Sequence, residues 1–216
     1  MSERYDCTDP DGRAEGIPAA ASAVRRGEIV VLPTDTVYGI GADAFTPYAV
    51  KALGDAKGGS RQAPPVLIGS RHTLDGLVFS LPRAARELVE AFWPGALTIV
   101  VEHSPSLQWD LGDSSGTVAV RMPLHPVALE VLRETGPMAV ASANRTGQPA
   151  ALTAEEARDQ LGYSVRAYLE AGPCPDPVPS TIVDLTGEVP RVLRLGAIRL
   201  DQLREVAPDI LDEQGA

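Results

Sequence analysis

The sequence predicts an α/β fold, a sheet covered by helices, on three observations. Helix-like and strand-like segments alternate along most of the chain, the mark of that class. The strand-like runs, such as LTIVVE from Leu97, are continuously apolar, as in strands buried on both faces. The 216 residues are 44% hydrophobic and 22% charged, with no composition break to mark a linker, which is enough for one domain with a sizeable core.

Taken in order, residues 1–16 carry charge, glycine and proline without an apolar period and are expected to form a flexible tail. The domain proper is expected over residues 17–206. It begins with IPAAASAVRRG, a short alanine-rich helix ended by Gly27, and a β-branched strand over 29–32. A helix over 47–56 and a strand in PPVLIGS follow. Helices are expected over 82–92 and 125–134, and strands over 97–102, 117–121 and 138–141. Thr153 and Glu156 stand at capping-box spacing and open a helix in TAEEARDQLG. Strands over 167–170, 181–185 and 191–194 and a helix over 200–206 complete the domain, leaving 207–216 as a C-terminal tail. The 20 glycines and 19 prolines imply many ordered turns.

Charge and composition exclude several classes. Nineteen lysines and arginines against 29 acids leave a net charge of −10, the wrong sign for wrapping a nucleic acid through its phosphates, so any nucleic-acid contact would have to be local. No apolar run approaches the ~20 residues needed to span a bilayer, and the polar start at Met1 lacks a secretory pattern. A cytoplasmic protein with no membrane partner is the expectation. Cys7 and Cys174 have no neighbours at zinc or disulfide spacing, and His72, His103 and His125 are isolated in sequence.

In an α/β sheet, ligands gather where strands hand over to loops. Six such places are rich in polar groups. PTDTVYG follows the first strand with Thr34, Asp35 and Thr36; AKGGSR sets Lys57 and Arg61 around two glycines at a helix end. TVAVRMP ends an apolar strand with Arg121, whose planar fork of donors suits a carboxylate or phosphate. ASANRTG follows a strand with Ser142 and Asn144; PSTIVDL enters one with Ser180; VLRLGAI puts Arg194 before a glycine. Each alone is equally well explained as a turn, a helix stop or a surface ion pair. Their joint occurrence at strand ends points to one shared site.

Together with WPGALTIVV, these pieces occur in the order found in the YrdC-like threonylcarbamoyl-AMP synthases, which the chain resembles over roughly residues 14–206. The resemblance implies a twisted, open mixed sheet with helices on its faces and a concave basic cavity. It implies an enzyme that joins L-threonine, bicarbonate and ATP into threonylcarbamoyl-AMP, releasing pyrophosphate. Transferase proteins downstream then carry the threonylcarbamoyl group to tRNA, which this chain itself would contact weakly at most. Two mutually repelling anions, a carbamate and the α-phosphate, must be brought into line, so positioning and fixed positive charge are what the protein can contribute.

Carried over motif by motif, Thr34, Thr117, Arg121 and Ser180 would hold threonine and its carbamate. Lys57, Arg61, Ser142, Asn144 and Arg194 would hold ATP, with Lys57 and Arg121 at the reacting groups. Magnesium is expected to accompany the triphosphate, on phosphates and water, because no cluster of acids marks a protein cage. The chain departs from the family's pattern after Lys57. Gly59 stands where a second cation is usual, and the loop reads as about one residue shorter, so that Arg61 would have to take that cation's part. Two other readings remain: a carbamoyl-adenylate enzyme, which would need further domains, and a non-catalytic RNA-binding module, which the acidic balance and a 5% aromatic content oppose.

Overall fold

The computed structural model describes residues 2–59, 62–112, 114–174 and 177–215. A short strand, β1 (Glu3–Asp6), leads into α1 (Pro10–Arg25), then β2 (Val30–Leu32) and β3 (Gly39–Asp43). Next come α2 (Pro47–Ala56), β4 (Val66–Leu67), α3 (His72–Leu77), α4 (Arg83–Phe92), β5 (Leu97–Glu102) and β6 (Thr117–Arg121). The second half runs α5 (Pro126–Thr135), β7 (Met138–Ser142), α6 (Ala154–Leu161), β8 (Ala167–Glu170), β9 (Thr181–Asp184), β10 (Arg191–Arg194) and α7 (Leu200–Val206).

All ten strands lie in one sheet of order β1-β8-β2-β3-β7-β4-β6-β5-β9-β10. It is mixed, as expected. The pairs β1 with β8, β2 with β8, β4 with β6 and β5 with β9 are parallel, and the rest are antiparallel. Two halves are clothed differently. Around β2, β3, β7 and β8 both faces are covered. Ile17, Ala20 and Val24 of α1 and Val131 of α5 pack over Val30 and Val140, while Leu53 of α2 and Leu161 of α6 pack over Val31, Ile40 and Tyr168. In the other half, Leu88 of α4 and Leu203 of α7 cover Ile99, Val120 and Val183. Side chains alternate across a strand, so Thr98, Val100, Ala119, Arg121 and Ile182 face the other way, and these residues line a cavity.

Three elements depart from the sequence reading. Residues 1–16 are not a loose tail: β1 pairs in parallel with β8, and Asp9 caps α1 by accepting the Gly12 N–H at 2.9 Å. The buried face of this helix is largely alanine and glycine, so its apolar period is faint. The segment read as a C-terminal tail is also packed where it begins, with Ala207 and Ile210 buried and Leu211 bridged to Arg191. Finally, YGIGAD reads as a turn but forms β3, an interior strand. A Cβ on Gly39 would lie 2.6 Å from the Val140 side chain, and one on Gly41 2.7 Å from Met138. The glycines let β3 sit under the bulky side chains of β7, a reason invisible to local propensity.

Candidate active site

The uncovered face becomes a cavity of about 1180 Å³ because segments from both halves of the sheet wall it in. The loop between β2 and β3 supplies Thr34 and Thr36, the end of α2 supplies Lys57, and the exit of β7 supplies Ser142. The turn before β9 supplies Ser180, and β10 supplies Arg194. Lys57, Arg121, Ser142, Ser180 and Arg194, scattered over the sequence, therefore meet in one hollow.

On one side stands Arg121, only 7% exposed. Its Nε donates to the Gly95 carbonyl at 3.0 Å, Nη1 to Thr36 Oγ1 at 3.0 Å, and Nη2 to Asp35 Oδ1 at 2.6 Å. Burial pulls its pKa down and the Asp35 charge opposes that pull, keeping a charged pair. A guanidinium has five N–H groups, so two remain for a ligand. Thr34 is more fully committed. Its hydroxyl donates to the Val37 carbonyl at 2.6 Å and lies 3.2 Å from the Thr36 amide and 3.1 Å from Thr36 Oγ1. With its hydrogen spent on Val37, it accepts from both Thr36 groups, and one donor and two lone pairs are all it has. A ligand hydroxyl or ammonium could reach Thr34 Oγ1 only by displacing one of these partners.

The other two cations are different in kind. Lys57 Nζ is buried and donates to the main-chain carbonyls of Ser142 at 2.5 Å and Asn144 at 2.8 Å, with Ser142 Oγ at 3.5 Å. Desolvation brings its pKa from an ordinary 10.5 down to about 8. Arg194 folds onto the Ser180 carbonyl through Nε at 3.1 Å and Nη2 at 2.8 Å, and onto Ser180 Oγ at 3.1 Å. Burial lowers its pKa too. Among the described residues, neither cation has a carboxylate partner. Ser180 Oγ also shares a hydrogen bond of 2.8 Å with Thr98 Oγ1; one hydrogen bridges the pair, so the other is free. The Arg194 turn depends on Gly196, where a Cβ would lie 2.1 Å from the Pro179 carbonyl oxygen.

Two expected site residues lie outside the lining. Thr117 stands at the far end of β6, its hydroxyl donating to the Ser114 carbonyl at 2.7 Å, while Ala119 and Arg121 on the same strand face reach the cavity. Asn144 is buried behind the wall, its carbonyl bonded to Lys57 and its Nδ2 to the carbonyls of Arg145 and Gln148. Its Oδ1 is buried with no partner among the described residues. Arg61 falls outside the described residues. Conversely, Asp35, Thr36 and Thr98 make the contacts that aim Arg121 and Ser180, and sequence reasoning gave them no role. Asp35 and Thr36 were visible only as part of PTDT, and Thr98 only as a hydroxyl inside an apolar strand. Cys7 and Cys174 are buried, their thiols pushed up to about 11, which keeps them protonated. Among the described residues no three His, Cys, Asp or Glu side chains are grouped to hold a metal.

The chain is similar in sequence and fold to known proteins. The profile of the family Sua5_yciO_yrdC, described as "Telomere recombination", matches residues 22–196. A Mycobacterium tuberculosis protein provisionally named threonylcarbamoyl-AMP synthase is 59% identical over 207 residues, 95% of either chain. The threonylcarbamoyl-AMP synthase of Bacillus subtilis is 37% identical over the whole of this chain, which spans 62% of that relative. Among solved structures, that of Pyrococcus abyssi Sua5 complexed with L-threonine superposes with a TM-score of 0.89 at 32% identity, over 98% of this chain and 62% of the other.

Proposed function

The chain belongs to the Sua5/YciO/YrdC family, and from that premise and the cavity lining we propose that it is an L-threonylcarbamoyladenylate synthase. One observation carries the reading: a single cavity gathers two cations that have no carboxylate partner among the described residues, Lys57 and Arg194, with a hydroxyl and guanidinium surface built by Thr34, Thr36 and Arg121. A polyanion and a small zwitterion are the ligands those groups suit. The naming of the close relatives and the L-threonine in the Pyrococcus abyssi structure support ATP and threonine for those places.

The chemistry then follows from placement. Threonine's amine attacks bicarbonate carbon, an N–C bond forms, and water leaves to give a carbamate. A carbamate oxygen next attacks the ATP α-phosphorus, the bond to the β-phosphate oxygen breaks, and pyrophosphate departs. No side chain need form a covalent intermediate. We assign the two free N–H groups of Arg121 to the threonine carboxylate or the carbamate, and the Ser180–Thr98 hydroxyl pair to the same substrate. Lys57 and Arg194, held rigid by main-chain carbonyls, take the phosphates, and Ser142 lies beside them. Fixed donors in a shielded cavity lower the repulsion between the two anions without reorganising during reaction. We propose that magnesium arrives on the triphosphate, since among the described residues no three acidic, histidine or cysteine side chains are grouped to hold it. We propose that the mixed-anhydride product passes to proteins that transfer the group to tRNA, and that the protein works in the cytoplasm.

The test is mass spectrometry of the product formed from threonine, bicarbonate and ATP. Threonylcarbamoyl-AMP with stoichiometric pyrophosphate is expected. Pyrophosphate release that does not depend on threonine would overturn the reading.

A further inference from the structure

We propose that Asp35 is the positioning residue of the substrate side: its carboxylate fixes the Arg121 fork and the loop over residues 33–38 in one geometry. The proposal rests on the synthase reading given above. Asp35 is not among the cavity-lining residues, whereas Thr34, Thr36, Val37 and Tyr38 on the same loop are. Its Oδ1 accepts two bonds at once, from Arg121 Nη2 at 2.6 Å and from the Leu124 main-chain N–H at 3.0 Å. The first joins the loop to the tip of β6, and the second to the turn that enters α5. Arg121 is 8% and Asp35 15% exposed at the side chain, so the pair is shielded from water and its bond is stronger than a surface one.

Two consequences follow. The guanidinium charge is balanced locally, so Arg121 reaches the substrate as a directed pair of donors, whereas Lys57 and Arg194 reach the cavity with no carboxylate partner among the described residues. In addition, Asp35, Thr36 and Gly95 occupy three corners of the guanidinium, which leaves its two remaining hydrogens only one orientation. Without Asp35 the side chain would keep only its bonds to Thr36 and Gly95, and the loop carrying Thr34 and Thr36 would lose the two anchors that Asp35 supplies.

The experiment measures threonine-dependent pyrophosphate release and calorimetric L-threonine binding for Asp35→Asn and Asp35→Ala, each in the wild-type chain and in an Arg121→Lys background. Asp35→Ala is expected to raise KM for threonine about tenfold or more, the equivalent of one charge-assisted hydrogen bond, with KM for ATP unchanged. Asp35→Asn keeps an oxygen acceptor for the Leu124 N–H and should fall between. In the Arg121→Lys background the same substitutions should add little, because Asp35 acts through the guanidinium. A fall in melting temperature and active fraction with both KM values unaltered, or an equal loss in both backgrounds, overturns the proposal. Should wild-type protein bind threonine yet release no pyrophosphate, the synthase reading fails, while the binding constants of the Asp35 variants still decide Asp35's part. If the wild-type chain binds no threonine, both fall.

Discussion

Two sets of polar groups in the cavity solve opposite problems. Around Arg121 nearly every polar group already has a partner: the guanidinium has its carboxylate, and the Thr34 hydroxyl has all it can hold. Lys57 and Arg194, among the described residues, have only carbonyl and hydroxyl oxygens for company. The first surface is finished before the ligand arrives and offers a few directed donors, which suits recognition of a small substrate by shape. The second keeps a charge deficit that a polyanion completes. Stability and binding are therefore coupled differently in the two sets, and substitutions should separate them.

Arg121→Met is expected to have the largest effect. It leaves Asp35 shielded and unpaired, and should cost about 3 kcal/mol of stability along with threonine-dependent turnover; urea denaturation followed by fluorescence measures the first and pyrophosphate release the second. Lys57→Met should break the symmetry in the other direction. Loss of a phosphate-holding cation should lower kcat/KM for ATP about a hundredfold. The same change removes a desolvated, unpaired charge and should leave the urea midpoint unchanged or raised. A matched loss of stability in both variants would erase the contrast.

Gly196→Ala tests how the cation side is built, because a Cβ there meets the Pro179 carbonyl and the Ser180 backbone. About 2 kcal/mol of overpacking cost is expected, with a raised KM for ATP as Arg194 and Ser180 move apart. The smallest effect is that of pH. Lys57, at about 8 in the folded chain, gives up its proton as pH rises through 8, so KM for ATP should climb there. The ligand-free protein should show the opposite sign. From about 8 to the ordinary 10.5 the folded chain binds fewer protons at this group than the unfolded chain, so its contribution to stability rises with pH across that window. Comparing urea midpoints at the two ends of that window, with Lys57→Met as the reference that lacks the trend, checks it.

Most elements were legible in the sequence because their signals are local. The strands over Leu97–Glu102, Thr117–Arg121 and Arg191–Arg194 and the helices Pro47–Ala56 and Leu200–Val206 stand where apolar runs and glycine or proline boundaries put them. The segments misread are those whose reasons lie elsewhere in the chain. The Gly39–Asp43 strand is shaped by Val140 and Met138 of a neighbour, the first strand by pairing with residues 167–170, and the segment around Leu211 by docking onto Arg191. His72–Leu77 is too short a helix for a periodic pattern to show.

The site divides along the same line. Which residues could bind anions was written in the sequence, since a lysine, three arginines and several hydroxyls at strand and helix ends have that chemistry wherever they are placed. Which of the described ones remain free to bind was settled only by the tertiary structure. Arg121 has its charge met by a carboxylate 86 positions away, Asn144 is turned behind the wall, and Thr117 spends its hydroxyl on the Ser114 carbonyl at the far end of its strand. Donor capacity is intrinsic to a side chain, but whether that capacity is already used depends on neighbours that only folding brings within three ångströms.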